Sequence, residues 1–533
     1  MAKAAPQLDI AALMQDVQRA MDDSAAVWQR YTCRLLTPMY GGGVEPGVVD
    51  RLMPIRATAI RGQLRAWWRL LNRRRTEYCR EGKPDSALLF AAEREIWGGL
   101  GDEKTLAVSK VVVKVTILSS PVLEAGARHK RKANGKVGVQ WLDWASPYAM
   151  FPAQGEVNNG QSKKPPARFA REGLRWEIHL GFRELTADSA QFKSVEEAFR
   201  WWATFGGVGA RTRRGLGAFE VTSSANGEFA YVSSAEVGRF GLQLLLQPAV
   251  DSALAAWQSA VCALRSFRQQ PGVARDKSAG GDPGRSRWPE ADAIRRTVCS
   301  PSRRHPPRHA AGAVFPRAAF GLPIVFHFKD DDDPQDTQLV PVVDGQRRDR
   351  MASPLIVRPY RAASGKWHPA LLCLPSDHVW TMAVELVNSG RAMNPHLPKQ
   401  FARGVWWPQV SDPGWSVQAA VDPSLPPHRT DALTAFQSRF SPAAPKSPGS
   451  GASGSPPERA EERWPKARIT VNTHNGTVTA VGPHHREAYA LQEMGEDMHK
   501  KLSPLARSKI ARGFFQAAAI VKGKELLRIE EDQ

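Results

Sequence analysis

A chain of 533 residues is too long for a single hydrophobic core and predicts about two to four domains. Its 73 Lys and Arg against 53 Asp and Glu leave a formal net charge of +20, a surplus that points to a polyanionic partner. No stretch of about 18 apolar residues is present, so no membrane span and no membrane partner are expected.

Residues 1–26 read as an N-terminal amphipathic helix, with Ile10, Leu13, Met14 and Val17 on one face. The segment lacks the apolar core of a secretory signal, and a cytoplasmic location is expected. Residues 27–40 predict a strand, ended by Gly41–Gly43. A helix follows from about Ala57 to Arg75, then a strand over 106–118, a long Gly-, Pro- and Lys-rich loop over 124–171, and a strand over 174–182. Ser194, with Glu197 three residues on, has the capping-box spacing of a helix start. Val195, Ala198, Phe199, Trp202 and Phe205 then recur at helical intervals, and 218–223 predicts a strand. The order β-α-β-β-α-β is that of ferredoxin-like folds.

The pattern restarts at Phe240, with the strand "RFGLQLLLQPA" and the helix "DSALAAWQSAVCALRSF", Asp251 lying near its cap. Strands over 320–328 and 353–360 flank an acidic run, Asp330–Asp333, that reads as a solvated turn. Residues 441–458 have the composition of a linker. A hairpin around Asn475–Gly476 comes next, and the sequence beyond Arg486 reads as mostly helical. The expected fold is therefore α+β. Domains with long insertions cover 27–235, ferredoxin-like in its element order, and 236–440, and a C-terminal hairpin-and-helix extension covers 459–533.

Two cationic segments stand out. Residues 51–80 hold nine arginines and one acid. At 100° per residue, Ile60, Leu64, Trp67 and Leu71 form an apolar stripe with Trp68 at its edge, while Arg61, Arg65, Arg69 and Arg73 form a ladder on a neighbouring face. Nothing at i±4 neutralises that ladder, so its arginines either track phosphates or meet partners from elsewhere in the fold. The second segment, "GGVGARTRRGLGAF" (206–219), packs five glycines and three arginines between a helix and a strand, with no acid between Glu197 and Glu220. A P-loop or Rossmann site needs the reverse order, strand, loop, helix. A glycine loop with uncompensated arginines suits an extended phosphodiester backbone instead. The five cysteines lie far apart without a C-x-x-C pair, and the histidines are scattered, so neither a disulfide framework nor a metal site is expected. No cofactor signature appears.

These motifs carry a resemblance. The G-G-x-G-A-R-x-R-R-G-x-G-x-F loop resembles that of the RAMP superfamily of CRISPR-associated RNA-binding proteins. "LTPMYGGG" (36–43), "MPIRATAIRGQLRAWWR" (53–69), "EREIWGG" (93–99), "SRWPEADAIRR" (286–296), "PRAAFGLPIVF" (316–326) and "RMASPLIVRPYR" (350–361) look like the first subunit of the type III-B (Cmr) effector complex. The resemblance covers roughly 28–361. It implies two ferredoxin-like, RRM-type domains in tandem, in a non-catalytic subunit that holds the 3′ part of a CRISPR guide RNA beside another RAMP subunit and helps capture target RNA. It implies RNA contacts at Gly206, Gly207, Gly209, Arg211, Thr212, Arg213, Arg214, Gly215 and Gly217, and at the helix arginines Arg56, Arg61, Arg65 and Arg69. The alternative is a metal-independent guide-processing endoribonuclease, for which His179, Tyr31 and Tyr40 are the nearby acid/base candidates.

Overall fold

The computed structural model describes residues 27–100, 106–224, 227–269, 288–297, 315–328, 333–376, 383–388, 432–441, 462–472, 477–481, 487–489, 515–522 and 525–530. The N-terminal helix expected over 1–26 and the linker beyond Ser441 lie outside them. The chain divides into two compact units, Met1–Ala444 and Pro445–Gln533. The two halves expected as separate domains thus share the first unit.

The first half forms a four-stranded antiparallel sheet. Its strands are β1 (Val27–Leu35), β2 (Val111–Ile117), β3 (Arg175–Phe182) and β4 (Phe219–Ser224), in the spatial order β4-β1-β3-β2. Helix α1 (Ala57–Asn72) connects β1 towards β2, and α3 (Ala190–Phe205) connects β3 to β4, which gives the β-α-β-β-α-β connection. Between them α2 (Ser86–Trp97) starts at Asp85, whose carboxylate accepts from the Ala87 and Leu88 amides. Alternation sets the faces of the sheet. Tyr31, Cys33 and Leu35 of β1 and Trp176, Ile178, Leu180 and Phe182 of β3 are buried beneath the helices.

Two local readings are corrected. Helix α3 begins one turn earlier than expected, capped by Ser189, whose hydroxyl accepts from the Phe192 amide at 3.2 Å. Ser194 instead receives the indole N–H of Trp68 at 2.8 Å. The 124–171 stretch is not one loop. It holds paired short strands at 127–131 with 137–141, 156–158 with 161–164, and 123–125 with 168–170. Its glycines mark hairpin turns, with Gly135 and Gly160 at φ of 76° and 73°.

In the second half, β5 (Gln243–Leu246) pairs with β10 (Trp367–Cys373), which pairs with β9 (Leu355–Arg361). Helix α4 (Ala253–Gln269) packs on this sheet; just before it, next to Asp251, the Ser252 hydroxyl accepts from the Ala255 amide. A separate sheet joins β6 (Ile324–Phe326), β7 (Thr337–Val343), β8 (Gln346–Arg347) and β11 (Ala383–Asn388). The strand expected over 320–328 is confined to β6, because Pro316–Phe320 is a 3₁₀ turn ended by Gly321 at φ 118°. Of the acidic run, Asp333 grips Arg295 at 2.7 and 3.0 Å; residues 330–332 lie outside the described residues.

In the β5-β10-β9 sheet, β9 and β10 are buried on both faces. Val357 and Leu371 join the core around Trp257 of α4, while Ile356, Tyr360, Ala370 and Leu372 join the core of the first half. Helix α3 lies between the two sheets. Phe199 stacks on Tyr31 of the first sheet at 4.0 Å between centroids, and Phe205 stacks on Tyr360 of the second at 6.0 Å. A helix buried on several sides must be apolar on several sides; accordingly Trp201, Ala203 and Thr204 are buried along with the expected stripe.

The C-terminal unit is a closed barrel of β12 (Glu462–Asn472), β13 (Thr477–Val481), β14 (Glu487–Tyr489), β15 (Phe515–Lys522) and β16 (Glu525–Glu530). The expected hairpin is β12–β13, with Asn472 opposite Thr477. The helical expectation fails at 487–489, 515–522 and 525–530, which are strands. Alternation in "FQAAAIVK" is masked by its alanines, which suit either element. Residues 490–514 lie outside the described residues.

Candidate nucleic-acid interface

The glycine loop closes on itself and on the strand after β1. Val208 N–H donates to Gly217 O at 2.9 Å, Ala210 N–H to Tyr40 O at 2.7 Å, and Gly217 N–H to Pro38 O at 2.9 Å. The buried Thr37 hydroxyl donates to Gly215 O at 2.7 Å. Thr212–Arg214 makes a single 3₁₀ turn between two left-handed residues, Arg211 at φ 60° and Gly215 at φ 73°. A left-handed arginine is uncommon and costs on the order of 1 kcal/mol. The glycines are sterically required. A Cβ on Gly217 would overlap the Val208 carbonyl, one on Gly209 would sit 2.6 Å from Tyr40 O, and one on Gly215 would sit 2.6 Å from Val357 O. Much of the loop's backbone polarity is thus spent inside the protein, and the exposed edge is Gly209–Ala210.

The three arginines are half-buried and reach three different segments. Arg211 Nε donates to Ala149 O at 2.5 Å, Arg213 to Ser353 O, and Arg214 Nη2 to Phe320 O at 3.4 Å. All of these acceptors are neutral carbonyls. Burial holds all three below the usual arginine range, Arg214 down to about 10, with Arg268, Arg211 and Arg213 adding repulsion there. Arg214 Nη1 is buried without a hydrogen-bond partner. Tyr148, which accepts from Arg268 at 2.6 Å, is raised by burial but lowered further by the neighbouring guanidiniums, so its net shift is downward. Arg358 on β9 lies behind the loop, fully buried, and donates to Gly206 O at 2.7 Å. This is a cluster of cations without a carboxylate among these partners.

The helix ladder is different. Arg65 Nε lies 2.6 Å from Glu93 Oε1, and Arg69 Nη1 lies 2.7 and 2.9 Å from the two Glu93 oxygens. Glu93 comes from α2 and its side chain is buried. Arg61 donates to Trp97 O and Arg56 to Gly43 O, the latter at 2.6 Å. The ladder therefore meets its partners within the fold, and the signal was the acid of "EREIWGG". Trp67 and Trp68 are both buried.

A third surface was not singled out in the sequence. The face of the first sheet away from the helices is open. Across it the register aligns Lys114 of β2, His179 of β3 and Arg30 of β1 in one row. Arg30, Lys114 and Arg175 are exposed. Trp28, half-buried on the adjacent row, lies over Gly181, where a Cβ would come within 2.8–2.9 Å of its ring. His179 Nε2 lies 3.1 Å from Glu177 Oε2 on this face. Tyr31 is buried against Phe199, with its hydroxyl held well above the usual range by burial first and Glu196 second. Tyr40 sits in the loop's bridge to Ala210. Alternation between Arg30 and Tyr31 was the signal that could have separated the open face from the core.

The model of the RAMP superfamily matches residues 32–220, from β1 through the glycine loop into β4. That segment is similar to the RAMP superfamily. Apo Cmr1 from Pyrococcus furiosus is 13% identical over 72% of this chain and 93% of that one, with a TM-score of 0.37. A subunit of the type III-B Cmr-beta complex bound to cognate target RNA is 10% identical over 65% of this chain and 94% of that one, at 0.36. Cmr6 from Pyrococcus furiosus covers 37% of this chain and 98% of its own, at 13% identity and 0.20. Likenesses of this size carry no argument about function. No curated protein sequence matches the chain. Among the described residues no helix is long and apolar enough to cross a membrane.

Proposed function

We propose that this chain is a non-catalytic, RNA-binding subunit of a cytoplasmic type III-B CRISPR ribonucleoprotein, built on tandem ferredoxin-like domains. It holds the 3′ region of the guide RNA, beside a neighbouring RAMP subunit, and helps capture complementary target RNA. The observation that carries the reading is the loop cluster. Arg211, Arg213 and Arg214 are gathered at the edge of the RAMP domain with only neutral acceptors, and Arg214 keeps a buried N–H without a partner. A phosphate there relieves like-charge repulsion and supplies acceptors that the planar guanidinium forks match. The open row of Arg30 and Lys114, with Trp28 beside it, gives a second place for backbone and base. Base pairing between guide and target carries the sequence, so the subunit itself binds without strong sequence preference.

The test is binding of single-stranded RNA as a function of salt, with cleavage read on a gel from the same samples. Wild type binds with a steep salt slope and leaves the RNA intact. Arg211→Ala/Arg213→Ala/Arg214→Ala weakens binding about 100-fold and flattens the slope by about two units, at roughly 0.7 per phosphate contact. Because those side chains also hold protein carbonyls, Arg30→Ala/Lys114→Ala is the clean companion; it costs about 10-fold with unchanged stability. Cleavage that survives a chelator and disappears in His179→Ala would overturn the non-catalytic reading.

A further inference from the structure

The insertion between β2 and β3 carries charge that the glycine loop does not account for. Between 127 and 164 it holds seven Lys and Arg against two acids, Asp143 and Glu156. One hairpin pairs Ala127–Arg131 with Val137–Trp141, and a second pairs Glu156–Asn158 with Gln161–Lys164. The two hairpins are fastened side by side. Val137 N–H donates to Gly160 O at 2.8 Å, and the His129 ring lies between Ser162 Oγ at 2.6 Å and Gln154 O at 3.0 Å. The first tip is closed as well. Lys132 N–H donates to Lys136 O at 2.8 Å, Gly135 N–H to Lys132 O at 2.9 Å, and Asn134 Oδ1 accepts from the Lys136 amide at 3.2 Å. At the base, Ala127, Ala149 and Phe169 are buried, and Arg211 of the glycine loop donates to the Ala149 carbonyl. The insertion is therefore an ordered basic arm rooted beside the glycine loop.

Register shows what the arm presents. Lys130 lies opposite Gly138, and the Lys132 side chain runs along the same glycine, where a Cβ would come within 2.5 Å of its Cε. Lys130, Arg131, Lys132 and Lys136 are exposed, and among the described residues none of the four is in an ion pair. Glu156 lies opposite Lys164 on the second hairpin, away from this tip. Four cations held together by closed backbone repel one another and need little ordering to meet an anion. The kind of polyanion follows from what accompanies them. Asn134, Asn158, Asn159, Gln161 and Ser162 are exposed too. No Phe, Tyr or Trp occurs in 128–136 or 156–164, and His129 is taken up between the hairpins. An unpaired strand is held by stacking its bases on rings. A duplex keeps its bases stacked on each other and offers phosphates and 2′-hydroxyls. Cations with amides and no ring match the duplex.

We infer that the two-hairpin arm is a sequence-independent clamp for double-stranded RNA, with Lys130, Arg131, Lys132 and Lys136 on its phosphates. The choice of RNA as ligand rests on the function proposed above, whereas the preference for a duplex rests on the arm's own side chains. A chain with both sites holds a strand through the glycine loop and tightens on it once a complement has paired, because two linked sites raise the effective concentration of each.

The test uses the full chain and measures anisotropy against salt for a blunt RNA duplex and for either of its strands alone. Lys130→Ser/Arg131→Ser/Lys132→Ser/Lys136→Ser lowers duplex affinity about 100-fold and flattens the salt slope by about three units, at roughly 0.9 per phosphate contact. Affinity for the single strand falls by less than about 5-fold. Should the quadruple variant not fold, Lys130→Ser/Lys132→Ser is read in its place, with a loss of about 10-fold on the duplex alone. Duplex binding like that of wild type overturns the clamp, and loss of poly-glutamate binding in the same variant then assigns the tip to an acidic protein surface. Equal losses on duplex and single strand overturn the duplex preference. In each of these cases a weakened loop triple variant leaves the proposed function standing. A loop triple variant that binds single strand like wild type, beside a quadruple variant that loses the duplex, overturns that function and keeps the clamp. A wild type that binds neither RNA overturns both.

Discussion

The α1 ladder and the glycine loop look alike as sequence, each a run of arginines without a nearby acid, yet they solve their charge differently. In the ladder, one buried carboxylate from another helix holds two guanidiniums, Arg65 and Arg69, at hydrogen-bond distance. In the loop, three guanidiniums end on three carbonyls of three separate segments. A carboxylate satisfies a cation; a carbonyl only solvates it. The first region is thereby finished within the protein, while the second keeps its appetite for an anion. Local charge counting cannot separate the two, because the deciding group, Glu93, lies 28 and 24 residues from Arg65 and Arg69.

The comparison can be broken most forcefully at Gly217. Gly217→Ala forces a left-handed alanine whose Cβ overlaps the Val208 carbonyl, and unfolding in denaturant should show a loss of about 3 kcal/mol or more. RNA affinity falls with it, because the cation cluster is placed by that backbone. Next comes Glu93→Gln. It removes the charge that holds Arg65 and Arg69, and stability drops by about 1–3 kcal/mol, discounted because both arginines are partly exposed. RNA affinity of the folded variant stays the same or rises, since two guanidiniums are released; a fall of tenfold would instead make the ladder part of the RNA site. The smallest effect sharpens the contrast at Arg200, a second carboxylate-satisfied arginine. Its hydrogen bond holds Glu236 at about 2, below the ordinary value of 4.5. The stabilisation is complete above pH 4.5 and is lost as pH falls through about 2. Glu236→Gln therefore flattens the acid limb of a stability–pH curve by about 1 kcal/mol or less.

Much of the first half was legible in the chain. Period-2 alternation marked β1 and β3, and Ile60, Leu64, Trp67 and Leu71 announced the buried face of α1. The glycine loop was also legible as a sharp, cationic junction. What it does with its polarity was not, because Tyr40, Thr37 and Val357, which consume its N–H groups and its space, come from distant segments. The open sheet row was hidden for the same reason: Lys114, His179 and Arg30 become neighbours only through register. The barrel was half visible. The hairpin around Asn475–Gly476 carried a turn signal, but a parallel pairing of Tyr489 with Glu525 leaves no local trace.

The double-sided burial of β9 and β10 has a consequence during synthesis. The aromatic surface of α3 that meets Tyr360 and Leu372 is complete by Phe205, but its cover emerges well over a hundred residues later. At about 5–20 residues per second, a ribosome leaves that surface bare for roughly ten to thirty seconds. The nascent first half therefore carries an uncovered aromatic surface until the strands at 355–373 leave the exit tunnel.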